Sequence, residues 1–134
     1  MINKIRIDKN EKRMFQRILV KLLIKYKWFA KKGTFRDTTT HDVSGGGMRL
    51  HVSEKLNKGQ ALKTLLYFPN NKKPIRMRSQ VTWCRKKRGA NLYDVGIRNV
   101  RIERADKERF VMLFCNLMID VLTSAHYSIT IPER

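Results

Sequence analysis

Apolar and polar residues alternate in short runs along most of this chain, each run closed by a turn signal, until about residue 104, where the period lengthens. Ile18 to Trp28 reads as a strand. Val20, Leu22, Ile24, Tyr26 and Trp28 alternate with Lys21, Lys25 and Lys27, and Leu23 alone breaks the lysine face. Residues 30–33 turn, and Thr34 to Val43 is threonine-rich, which suits a strand better than a helix. Met48, Leu50 and Val52 alternate with Arg49 and His51 in a third strand. Ala61 to Phe68 gives a fourth, closed by the Pro69–Pro74 loop. In Ile75 to Cys84 the expected inward set is Ile75, Met77, Val81 and Trp83, with Ser79 as a small inward exception and Arg76, Arg78, Gln80 and Thr82 outward. After a basic loop over 85–90, Leu92 to Val100 makes the sixth strand, with Gly96 marking a bulge.

The period then changes to that of a helix. Acids stand in its first turn, at Asp106 and Glu108. Phe110, Leu113, Phe114, Leu117 and Val121 recur at helical spacing, broadened by Met118 and Leu122. The stripe fades near Ser124, and the tail through Pro132 is expected to be irregular. Six short, evenly spaced strands followed by one helix predict an all-β fold: a small antiparallel barrel, with the helix across an open end or one face. Residues 1–17 read as a flexible basic lead-in, 18–125 as the barrel and its helix, and 126–134 as the tail. At 134 residues the chain fits one domain with one modest core.

Charge changes this picture. Lys and Arg number 30 against 11 acidic residues, a formal net charge of +19. Solubility needs roughly 2–8 charges in a small domain, so the excess points to an anionic partner: nucleic acid, a phosphorylated ligand, an acidic protein face or an anionic surface. Cys84 and Cys115 form no CxxC motif and no zinc-ligand spacing, and both fall in apolar patterns, as expected of buried, reduced thiols. Residues 1–6 lack the apolar core of a signal peptide. The longest mainly apolar run, within 110–122, is interrupted by Asn116 and Asp120 and is too short to span a bilayer. The expected location is cytoplasmic, without a transmembrane segment.

The most informative stretch is His41 to Met48, where Asp42 and Ser44 lead into Gly45, Gly46 and Gly47. Three consecutive glycines belong to a turn, because glycine loses the most backbone entropy on ordering. Asp42 can accept hydrogen bonds, Ser44 can donate and accept, and glycine N–H groups can form an anion-binding nest. A hairpin turn whose Asp and Ser bond only their own backbone is the plainer alternative. By composition, Asp-x-Ser-x-x-Gly is expected roughly 0.01 times in this chain, whereas two arginines four apart are expected roughly once. The pair Arg13 and Arg17 therefore gains its weight only from standing just ahead of the first strand, about one strand pair before Asp42.

That arrangement resembles the PilZ domain family. The matching residues are Arg13-Met14-Phe15-Gln16-Arg17 for RxxxR and Asp42-Val43-Ser44-Gly45-Gly46-Gly47 for [D/N]xSxxG, with Tyr93 to Arg98 similar to the sixth-strand "vGv" segment. The resemblance implies a six-stranded antiparallel barrel with a C-terminal α-helix, and cyclic di-GMP as ligand. It places Arg13, Arg17, Asp42, Ser44, Gly46 and Gly47 at the binding site. Lys12, directly before the motif, falls where family members vary and ligand stoichiometry is sensitive. The residue chemistry suits the ligand: guanidinium groups fork onto guanine O6 and N7 or onto phosphate, and a carboxylate accepts from guanine N1–H and N2–H. On this reading the ligand fixes the arginine segment over the barrel and the signal passes to a partner.

The alternative is a nucleic-acid-binding barrel, supported by the net charge, by Arg76 and Arg78, by the loop Arg85-Lys86-Lys87-Arg88, and by Trp83 and Tyr93 nearby. Catalysis is not expected. Paired carboxylates, a nucleophile elbow, HExxH and a P-loop are all absent from the sequence, and His41, His51 and His126 are scattered.

Overall fold

The computed structural model of the chain describes residues 4–6, 17–123 and 128–130. Its strands are β1 (Lys4–Arg6), β2 (Arg17–Ile18), β3 (Leu23–Trp28), β4 (Arg36–Ser44), β5 (Gly47–Val52), β6 (Ala61–Tyr67), β7 (Ile75–Lys86), β8 (Tyr93–Ile102) and β9 (Ser128–Thr130), with one α-helix, α1 (Lys107–Thr123). Strands β3 to β8 close a six-stranded antiparallel barrel: β4 pairs β3, then β6, β7, β8 and β5 follow, and β5 returns to β4. Closure leaves the barrel without a free edge.

The alternation read from the sequence accounts for the interior. Ile24, Tyr26, Leu50, Val52, Leu62, Leu66, Ile75, Met77, Val81, Val95 and Ile97 are all buried, each separated by one residue from the next inward position on its strand. The inward polar exceptions are satisfied. Ser79 and Thr64 share a hydrogen bond at 2.9 Å across β6 and β7. Thr40 repairs the break between β2 and β3: its hydroxyl donates to the Val20 carbonyl (2.7 Å) and accepts from the Leu22 N–H (2.9 Å). The segment expected as one strand from Ile18 is thus two pieces laid along β4, joined through that side chain.

Three single-residue irregularities re-aim side chains. Across β4 and β5, Thr40 pairs Leu50 and Asp42 pairs Arg49, so His41 is the extra residue. Across β7 and β8, Val81 pairs Ile97 and Trp83 pairs Gly96, so Thr82 is extra, and further along Val100 is extra on β8. The bulge expected at Gly96 therefore belongs to its partner strand. It also overturns the inward placement of Trp83. An extra residue shifts the two-residue period, and Trp83 emerges 38% exposed. Gly96 stays bare because a Cβ there would overlap the indole of Trp83.

The helix covers the barrel end where β6 finishes, β7 starts and β8 finishes. Phe110 and Leu117 are buried, and Phe110 packs edge-on to Phe68 with ring centroids 6.0 Å apart. Cys115, expected to be buried, is exposed because it falls off the buried stripe of α1, and Cys84 is half-buried. Asp106, in the short 3-10 turn over Arg104–Asp106, ties this end down by accepting from the Arg76 backbone N–H (3.0 Å) and Nε (2.9 Å). The tail expected to be irregular contains β9, which pairs in parallel with β1. Among the described residues, no helix is long and apolar enough to cross a membrane.

Candidate functional site

The glycine stretch does form the turn between β4 and β5, and each of its residues has a defined place. Ser44 Oγ accepts from the N–H groups of Gly46 (3.2 Å) and Gly47 (3.1 Å) and donates to the Gly47 carbonyl (3.1 Å). The amides that would make an anion nest are directed at that hydroxyl instead. Gly47 is bare for a packing reason: β5 runs so close to β8 that a Cβ would overlap the Ile97 carbonyl oxygen. Asn99 fastens the turn from β8, its N–H donating to the Gly46 carbonyl (2.8 Å) and its Nδ2 to the Gly45 carbonyl (3.3 Å).

Asp42 is different. It is only 3% exposed, and its Oδ2 is buried without a hydrogen bond among the described residues. Among the described residues it pairs with Arg17, whose Nη1 lies 3.9 Å from that oxygen. A buried carboxylate lacking donors loses much of the solvation it had in water, so this oxygen is an acceptor waiting for a donor. The pairing of β2 with β4 brings Arg17 opposite Ser44, and the bulge at His41 brings Arg49 opposite Asp42.

Arg17, Asp42, Ser44, Gly46 and Gly47 all line one cleft of about 460 Å³. Its other walls include Arg49, Trp83, Arg85 and Arg98. Lys12 and Arg13 lie outside the described residues. The cleft thus holds four guanidinium groups, one carboxylate and one indole. Arg98 is held in place by two hydrogen bonds from its Nε (3.0 Å) and Nη2 (2.7 Å) to Gln80 Oε1. Arg85 reaches toward Asp94 (3.9 Å) and stands over the Trp83 ring at 5.7 Å. His41 sits edge-on to His51 at 5.5 Å, beside Asp42. Burial and the neighbouring Arg49 charge push its pKa below the ordinary histidine value, which favours the neutral ring.

Sequence reading did not place Arg49 or Arg98 at this site. The signal for Arg49 was the hairpin itself, since a tight turn at 45–46 sets strand against strand. The signal for Arg98 was its position two residues after Gly96. Trp83 could not be found from alternation, because the bulge at Thr82 reverses its side. Among the described residues, no group of three or more His, Cys, Asp or Glu side chains is placed to hold a metal.

This set of groups can grip an anion through forked N–H donors, accept from a donor-rich edge at Asp42, and stack a flat ring on Trp83 or on a guanidinium plane. The comparisons agree with the architecture. The sequence matches the PilZ domain family over residues 11–114. No curated protein matches the sequence. Among solved structures, the fold is similar to that of the Bacillus subtilis inhibitor of motility, MotI/DgrA, with a TM-score of 0.65 at 12% identity over 82% of this chain. The chain spans 53% of that protein's length.

Proposed function

This chain belongs to the PilZ domain family, and from that premise we propose that it is a receptor for cyclic di-GMP that binds the messenger in the Arg17–Asp42 cleft. The observation that carries the reading is the Asp42 carboxylate: buried, short of donors, and set among four arginines. A guanine presents N1–H and N2–H as adjacent donors, which a carboxylate can accept together. Its O6 and N7 on the opposite edge suit a forked guanidinium, and the phosphodiesters suit the remaining arginines. Trp83 and Arg85 offer faces for purine stacking. Gly46, Gly47 and Ser44 shape the corner that holds Asp42 in place.

In this reading the phosphates draw in Arg13 and Lys12 and fix the segment that carries them over the cleft. Fixing a chain segment costs entropy, so the net affinity is lower than the contacts alone would give, and occupancy becomes a switch. The new surface made of that segment, the ligand and the barrel rim is what a partner in the cytoplasm reads. The role is that of a binding module rather than a catalyst.

Calorimetric titration with cyclic di-GMP tests this directly. The wild-type chain is expected to bind at micromolar concentrations or tighter. Asp42→Ala and Arg17→Ala are each expected to weaken binding by roughly a hundredfold, the loss of about two hydrogen bonds to a charged group. Binding that persists in both variants would sink the assignment of the cleft.

A further inference from the structure

The barrel carries a second cationic feature, made of residues outside the cleft lining, that the receptor reading does not use. On the outer face of β3, β6, β7 and β8, strand register sets Lys27 opposite Lys63, Lys63 opposite Arg78, and Arg78 opposite Arg101. Four cations thus stand in one row across four adjacent strands, a line of about 14 Å at the usual strand spacing. Like charges directly opposite one another destabilise a sheet, so the row works against folding.

Cations elsewhere on this face have polar partners: Lys25 and Arg76 form ion pairs with Asp37 (4.0 Å) and Asp106, and Arg98 is hydrogen-bonded to the neutral Gln80. In the central row, Lys27, Lys63, Arg78 and Arg101 have no ion pair among the described residues. Three of them lie over aromatic rings. Phe29, 40% exposed, takes Lys63 at 5.4 Å and Arg78 at 4.3 Å over its ring, and Lys27 lies 4.9 Å over Phe35.

We propose that this row is a docking surface for single-stranded nucleic acid, with the backbone running across the strands along Lys27, Lys63, Arg78 and Arg101 and a base stacking at Phe29. A linear polyanion matches a linear row of cations. The aromatic ring decides between anionic partners: its negative face repels a carboxylate, whereas a nucleobase stacks on it. The register also explains why the sequence pattern hid the row, since its four members lie on four separate strands. This inference is independent of the messenger reading and uses none of the cleft residues.

The test measures fluorescence anisotropy of a labelled 20-nucleotide oligothymidylate with the full chain in the absence of cyclic di-GMP. Four phosphate contacts predict a log–log salt slope of about −2.8. Lys63→Glu/Arg78→Glu is compared with Lys87→Glu/Arg88→Glu, which changes net charge equally in the 85–90 loop. The row variant is expected to weaken binding at least twentyfold and the loop variant less than threefold. Phe29→Leu is expected to weaken it about tenfold without changing the salt slope. Circular dichroism and an unchanged urea-unfolding midpoint check that each variant is folded. Equal losses in the row and loop variants would show a response to net charge alone and overturn the proposal. So would tighter, row-dependent binding of a labelled 20-residue polyglutamate or of vesicles containing phosphatidylserine.

Discussion

Two buried aspartates at different places on the barrel differ in how fully their carboxylates are bonded. Asp106 is fully buried and saturated. It accepts from the Arg76 N–H and Nε, and its second oxygen accepts from Arg109 Nη1 at 3.2 Å. Arg109 in turn donates to the Lys73 and Pro74 carbonyls, so the carboxylate pins α1 to the start of β7. Burial alone would raise the Asp106 pKa. The hydrogen bonds from the Arg76 side chain and backbone, with the charges of Arg76 and Arg109, outweigh it and hold the carboxyl below the usual carboxylate range. Asp42 is nearly as buried, yet among the described residues its ion pair with Arg17 spans 3.9 Å and one oxygen has no donor. Asp106 is saturated by its partners, whereas Asp42 keeps an oxygen without a hydrogen bond among the described residues, as the proposed role in binding requires.

The sharpest way to break this contrast is Asp106→Ala. It orphans the Arg76 backbone N–H and frees the helix end, and a loss of about 2–3 kcal/mol is expected from urea unfolding. A loss below about 1 kcal/mol would mean that the saturated site is not what holds the helix.

Acid should erode the same contribution. A folded-state pKa below the unfolded one gives stability that is present above the unfolded value, about 3.9, and lost as pH falls through the lower folded value. The difference in unfolding free energy between the wild type and Asp106→Ala is therefore expected to narrow between pH 6 and pH 3. A gap that stays constant over that range would contradict the assignment.

The smallest expected effect is the most diagnostic. Asp42→Ala removes a buried carboxylate whose Oδ2 makes no hydrogen bond among the described residues, so stability should change by less than about 1 kcal/mol. The same substitution should remove most of the affinity for cyclic di-GMP. If Asp42→Ala unfolded the chain as readily as Asp106→Ala, the two sites would be alike after all.

Much of this was legible beforehand. Alternation located the six barrel strands and, in the runs from Ile18, Met48 and Ile75, most of their inward residues, Trp83 being the clear exception. The change of period located the helix, and Asp42 with Ser44 and the glycines marked the corner of the cleft. Which role Ser44 and Gly47 play in that corner was not legible. The hydroxyl could have faced a ligand or its own turn, and only the path of β4 into β5 directs it to the turn amides. The absence of a side chain at Gly47 could have served a ligand or a neighbouring strand, and only the closeness of β8 shows the second.

Period, turn chemistry and the steric freedom of glycine act over a few residues, so the order of strands, the helix and the sharp corner at Gly45–Gly47 are properties of the sequence alone. Register acts between residues far apart in the chain and is shifted wherever one strand carries an extra residue. Only the closed barrel could therefore turn Trp83 outward past Thr82, bring Arg49 and Arg98 to Asp42, and line up Lys27, Lys63, Arg78 and Arg101.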